Sequence, residues 1–178
     1  MTQHQLRFTL NGQAVEAQVP SERLLIDLLR DELGFTGTKE GCSVGVCGAC
    51  SVLLDGRLVT ACLMPAVFVD GRELTTIEGL AASDGSLSPL QSAFIRHGGF
   101  QCGICTPGQI ISATALLAEQ PRPTAEQVRE WIAQGHPYVA ELAAVRDVEY
   151  IDLPTGHWPQ FTKPVELGQA ILAAVDRG

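Results

Sequence analysis

Positive charge is scarce in this chain. Twelve Lys and Arg stand against twenty Asp and Glu over 178 residues, a net charge of −8. No basic cluster occurs, which disfavours a nucleic-acid or anionic-membrane partner. Aromatic residues are also few: six Phe, two Tyr and two Trp. Long apolar runs are missing. None approaches the ~18–20 residues of a membrane span, because charge, Gly or Pro interrupts each one. The opening MTQHQLRFTL has neither the apolar core nor the cleavage site of a signal peptide, so a cytoplasmic location is expected. Residues 106–178 contain no cysteine; all six lie between Cys42 and Cys105. Without an export signal, metal or redox chemistry explains them better than a disulfide framework.

What is present reads as a globular α+β chain, 46% hydrophobic and 18% charged. Leu6–Leu10 and Ala14–Val19 flank Asn11-Gly12, a two-residue hairpin signal. Pro20-Ser21 opens a helix with the stripe Leu24, Leu25, Leu28, Leu29 and Leu33, stopped by Gly34. A second hairpin joins Ser51–Leu54 to Arg57–Ala61 through Asp55-Gly56. Val67–Val69 and Arg72–Ile77 are expected as another turn-linked strand pair. The small, polar segment AASDGSLSP, residues 81–89, reads as a linker between a domain at 1–80 and a helical one at 90–134. In the latter, helices are expected over about Pro89–His97, from the Thr106-Pro107 cap to about Glu119, and from the Thr124/Gln127 capping box to about Ala133. His97 and Arg96 then serve the end of the first of these helices. The run Ile110, Ile111, Ala113, Leu116 and Leu117 is core. Residues 135–178 form a tail with a strand at Val148–Leu153 and a helix at Pro164–Val175, expected to pack loosely.

The decisive segment is KEGCSVGVCGACSVLLDGRLVTAC. Cys42, Cys47, Cys50 and Cys62 have the spacing C-x4-C-x2-C-x11-C, the plant-type ferredoxin pattern for a [2Fe–2S] cluster. Gly41, Gly45 and Gly48 interleave the ligands, so the backbone approaches closely and aims N–H groups at sulfur. Zinc sites favour separated CxxC pairs, and buried spare thiols would not crowd among glycines. A second group, Cys102-x2-Cys105, stands at the mouth of a helix. On its own it is a redox dithiol, half of a zinc site or half of an iron–sulfur site.

Together these segments resemble the iron–sulfur small subunit of the molybdenum hydroxylases, the xanthine dehydrogenase and carbon monoxide dehydrogenase family. The matching stretches are GTKEGCSVGVCGACSVLLDG, TTIEGLA, SPLQSAFIRHGGFQCGICTPGQIISATALL and PRPTAEQVREWI, within residues 6–133. The resemblance implies an N-terminal β-grasp ferredoxin-like domain and a helical domain, each with a [2Fe–2S] cluster. It implies a molybdopterin-binding large subunit and an FAD-binding or cytochrome subunit as partners, with electrons relayed between them. It also implies that Gln101 approaches the molybdopterin. No catalysis is expected from the chain alone.

One departure matters. The family completes its second cluster with C-x-C about 31 residues beyond the CxxC. Pro137 and Val139 stand there instead, beside His136. One imidazole adds at most a third ligand, which leaves the second site incomplete or completed by another chain. A non-relaying scaffold subunit is therefore one alternative. The tail suggests another, because it resembles the C-terminal end of an α/β-hydrolase, with His157 in TGHWPQF at the triad position and Trp158 beside it. Gly41-Cys42-Ser43-Val44-Gly45 formally matches G-x-S-x-G. Yet Ser43 has no strand before it and no helix after it, so a serine hydrolase using His157 is disfavoured.

Overall fold

The computed structural model describes residues 2–134, together with Val165 and Gln169. Two antiparallel strands open the chain, β1 (Gln3–Leu10) and β2 (Gln13–Pro20). They pair in the register Leu10↔Gln13 to Gln3↔Pro20. Asn11 and Gly12 turn between them with φ of 51° and 79°, the conformation that makes this dipeptide a hairpin signal. β3 (Ser51–Leu54) and β4 (Arg57–Thr60) form the second hairpin, turned by Asp55 and Gly56. β5 (Glu73–Thr75) sits between the hairpins, giving the order β2-β1-β5-β3-β4. It runs parallel to β1 and antiparallel to β3.

The expected helix after Pro20-Ser21 is shorter and wider. One α-turn, α1 (Leu25–Asp27), continues as a π-helical turn over Leu28–Glu32. Leu25, Ile26, Leu28 and Leu29 are buried against the sheet. Gly34 does stop it: its φ is 75°, and the Phe35 N–H reaches back to the Leu29 carbonyl at 2.7 Å. A mixed sheet gripping this helix is the β-grasp arrangement. Val67–Val69 is not a strand. Ala66–Val69 forms a 3-10 turn, and of Arg72–Ile77 only Glu73–Thr75 is extended. The pairing partners of β5 come from far along the chain, so adjacent β-rich segments need not pair with each other.

Beyond the exposed turn at 81–89 come α2 (Pro89–Arg96), α3 (Thr106–Glu119) and α4 (Ala125–Gln134). Ser88 and Gln91 form a capping box on α2. Thr124 and Gln127 do the same for α4, with the reciprocal bonds at 3.2 and 2.7 Å. Thr106 does not cap α3. Cys105 already has helical dihedrals and its carbonyl accepts the Gln109 N–H at 3.0 Å, so Thr106 lies inside the helix and its hydroxyl is buried without a partner. β3 is buried on both faces. Val52 and Leu54 join the core around α1, while Leu53 meets Ile111 and Ala115 of α3. α3 therefore packs directly on the sheet, beside the cysteine loop. Among the described residues no helix is long and apolar enough to cross a membrane. The strand expected in the tail lies outside the described residues, and of the helix expected at Pro164–Val175 only Val165 and Gln169 are described, both helical and exposed.

One electrostatic feature of the sheet has a testable sign. The Asp55 carboxylate accepts the Glu73 N–H at 2.9 Å and the Arg72 Nε–H at 2.6 Å. These two bonds hold its pKa below the ordinary 3.8. A depressed carboxylate pKa favours the folded state fully above 3.8, and that contribution fades as pH falls through the lowered folded value. Titration of the Asp55 carboxyl by NMR should give a midpoint below 3.8. Arg72→Gln should move it only partway back, because the Glu73 N–H remains. A midpoint at 3.8 or above in the wild type would refute the geometry.

Candidate metal centre

The loop from Phe35 to Cys50 has no regular structure, so side chains and isolated backbone bonds must fix it. The Arg30 guanidinium donates to the carbonyls of Thr36 and Thr38 at 2.9 and 2.8 Å, and Lys39 Nζ donates to that of Thr36 at 2.8 Å. The Gly37 N–H donates to Glu78 Oε1 at 2.8 Å. At the far end, the Ser51 hydroxyl and N–H both donate to the Gly48 carbonyl. The Ala61 N–H donates to the Cys50 carbonyl, which brings the end of β4, and with it Cys62, back over the loop.

The three thiols of this loop and that of Cys62 differ in depth. Cys50 and Cys62 are buried, Cys42 is half-buried and Cys47 is exposed. Cys42 neighbours Cys47, Cys50 neighbours Cys62, and the Cys47 sulfur also acts on Cys50. Among the described residues no three His, Cys, Asp or Glu side chains converge as they would on a single metal ion. A binuclear cluster takes four thiolates, two to each iron, and these contacts link four thiols. A Cβ at Gly41 would lie 2.9 Å from Cys47 Sγ, so a larger residue there would displace that sulfur.

The electrostatics split the pairs. At Cys42, partial burial raises the thiol pKa, but the N–H groups of Val44, Cys47 and Val46 and the Cys47 thiol outweigh it, bringing it to about 7. The Cys47 N–H stands 3.4 Å from Cys42 Sγ. Burial pushes the Cys50 thiol up to about 12, and the neighbouring sulfurs of Cys62 and Cys47 add to that against the Cys62 N–H. Cys50 thus favours the neutral thiol until a cation binds, while Cys42 already has donors aimed at negative sulfur. These donor types and this loop fit a [2Fe–2S] cluster.

Cys102 is exposed and Cys105 is half-buried at the start of α3. Gln101, beside Cys102, is exposed. Pro137, Val139, His136, His157 and Trp158 lie outside the described residues. His97 is the C-cap of α2 through its backbone N–H, as expected of a residue at that helix end. Ser43 donates from Oγ to Glu40 Oε1 at 2.7 Å and has a φ of 56° in an irregular loop. It has no strand–turn–helix elbow around it.

Sequence reasoning missed the contact that joins the helices to the cysteine loop. A Cβ on Gly108 of α3 would collide with the Gly48 carbonyl oxygen and lie 2.9 Å from Ala49 Cα. Next to this contact is a cleft of about 390 Å³, lined by Cys47, Gly48, Leu90, Phe94, Leu117 and Trp131 among others. The signal for it was present as a glycine in the first turn of a helix, but nothing local says what it must approach.

A family model described as a 2Fe-2S iron-sulfur cluster binding domain matches residues 8–80. One described as a [2Fe-2S] binding domain matches residues 76–136. A probable xanthine dehydrogenase subunit of Bacillus subtilis (strain 168) is 49% identical over 129 residues, covering 72% of this chain and 73% of that one. The aldehyde oxidoreductase iron-sulfur-binding subunit of Escherichia coli (strain K12) is 43% identical over 161 residues, covering 80% and 70%. A solved structure of quinoline 2-oxidoreductase from Pseudomonas putida 86 superposes with a TM-score of 0.71 at 37% identity, over 82% of this chain and 99% of that one.

Proposed function

We propose that this chain, which belongs to the family of iron–sulfur small subunits of the molybdenum hydroxylases, holds a [2Fe–2S] cluster on Cys42, Cys47, Cys50 and Cys62 and relays electrons through it. The partners of that relay are a molybdopterin-binding large subunit and an FAD-binding or cytochrome subunit. The carrying observation is the gathering of three loop thiols with that of Cys62 behind β4, with N–H groups directed at Cys42. When bound, the cluster supplies one-electron oxidation and reduction. The chain's own residues do the rest. Burial of Cys50 and Cys62 keeps water from the inner side, and the loop's N–H groups offset negative charge on the outer sulfur. Exposure of Cys47 brings the edge of the site to the surface, where a partner can approach. By the family resemblance, Gln101 faces the molybdopterin of the large subunit. A reducing compartment, the cytoplasm, suits four cysteines kept available as cluster thiolates.

The test is anaerobic reconstitution of the full chain with iron and sulfide, followed by dithionite reduction. A rhombic EPR signal of about one spin per cluster is expected. A colourless, EPR-silent chain that is otherwise folded would sink the assignment.

A further inference from the structure

We infer that this chain builds one cluster, not two, and that Cys102 and Cys105 form a dithiol that closes to an intramolecular disulfide by exchange with a small-molecule disulfide. The cysteine count rests on the assignment of Cys42, Cys47, Cys50 and Cys62 to the first cluster. Six cysteines less those four leave two, and residues 106–178 supply no more. A [2Fe–2S] cluster takes four side-chain ligands, so this site is two short. Imidazole replaces thiolate in Rieske centres, but only as a pair. His4 bonds the Ser21 hydroxyl at 2.8 Å and His97 ends α2, and beside the positions of the missing thiols the sequence offers His136 alone, one imidazole and not a pair. The family model for the second domain ends at residue 136, just before the positions where its further thiols are expected. The residues present therefore do not fit a second cluster.

What remains is a dithiol with two different sulfurs. Three residues separate the pair along the chain, and Gly103 between them has a φ of 82°, so the backbone turns there. Residues three apart across a turn bring their Cα atoms within about 7 Å, which overlaps the range a disulfide spans. Cys105 is half-buried at the start of α3. Cys102 is the exposed sulfur and so the one an external disulfide reaches. Its thiolate attacks one sulfur of the small disulfide, breaking that S–S bond, forming a mixed disulfide and releasing one thiolate. The Cys105 thiolate then attacks Cys102 Sγ, forming the internal bond and releasing the second. The two protein thiols lose two electrons to the small disulfide, and their two protons go to the two released thiols.

The experiment uses the reconstituted full chain, first for metal and then for thiols. About two iron and two sulfide per chain with one EPR species are expected. The same sample is then treated anaerobically with oxidised glutathione, alkylated under denaturing conditions without reductant and peptide-mapped. A Cys102–Cys105 crosslink, about 2 Da lighter than the dithiol, is the expected product. Cys105→Ser should trap glutathione on Cys102, and Cys102→Ser should give no crosslink. About four iron per chain with a second EPR species would overturn the inference, as would both sulfurs remaining alkylatable after glutathione disulfide. Should the first cluster itself fail to form, iron falls to zero while the crosslink is still read, so the two assignments fail separately.

Discussion

Cys47→Ser should abolish the brown colour and the reduced-state EPR signal while leaving the fold in place. The thiol is exposed and sits in a loop without regular structure, so its removal takes nothing from the core of Leu6, Leu10, Val52, Leu54 and Leu74. The chemistry is less tolerant. Cys47 faces Cys42, and its loss leaves one iron with a single thiolate. A change to an outer-shell partner costs a metal site about 10–100-fold, and loss of a ligand should exceed that. Ser43→Gly is the matched control. The Ser43 hydroxyl bonds Glu40 rather than sulfur, and its φ of 56° suits glycine. That variant should keep the signal, and neither protein should hydrolyse a p-nitrophenyl ester. Amide exchange across β1 and β3 should match the wild type in both. An undiminished signal in Cys47→Ser would remove the four-thiol assignment.

Features carried by neighbouring residues were legible in the sequence, and features carried by distant pairs were not. Asn11-Gly12 and Asp55-Gly56 set their hairpins locally, through residues that accept positive φ. The spacing of Cys42, Cys47 and Cys50 is local too, so the loop could be read as a ligand set. The third β-rich stretch misled, because 3-10 or strand at Val67–Val69 depends on partners far away. β5 is held by Thr9, Leu10, Leu53 and Leu54. Its end is fixed by Asn11, whose side chain accepts the Thr76 N–H at 2.8 Å and donates to the Thr76 hydroxyl at 3.0 Å. No pattern within ten residues of Thr76 announces Asn11. The π-turn at Leu28–Glu32 likewise answers to packing of four buried side chains, not to a breaker in the sequence. Thr106 looked like a cap because its residue type and the following proline are right. The chain enters the helix one residue earlier than that pairing supposes.

Gly108→Ala should destabilise the protein, and the sign of the effect is the informative part. Inside a helix, alanine is more favourable than glycine by about 0.8–1.0 kcal/mol, so propensity alone predicts a gain. Packing predicts the reverse. The new methyl would meet the Gly48 carbonyl oxygen and lie 2.9 Å from both Gly48 C and Ala49 Cα. These are backbone atoms of the cysteine loop, held by the Ser51 N–H and hydroxyl, and not the far end of a flexible side chain. Either α3 backs away, which opens the contact of Ile111 and Ala115 with Leu53, or the loop shifts under Cys47 and Cys50. Overpacking of this kind costs about 1–3 kcal/mol, which exceeds the propensity gain at most of that range. The denaturant midpoint should therefore fall with an unchanged slope. Iron should also be lost faster to a chelator, because the displaced backbone lies between two ligands. Ser112→Ala, one turn along α3, removes only the 3.2 Å bond from Trp131 Nε1 and should cost less, about 0.5–1.5 kcal/mol, with iron retention unchanged. A Gly108→Ala protein more stable than the wild type would mean that helix and loop do not approach as described, and that the second domain's helices are not braced on the first domain's cysteine loop.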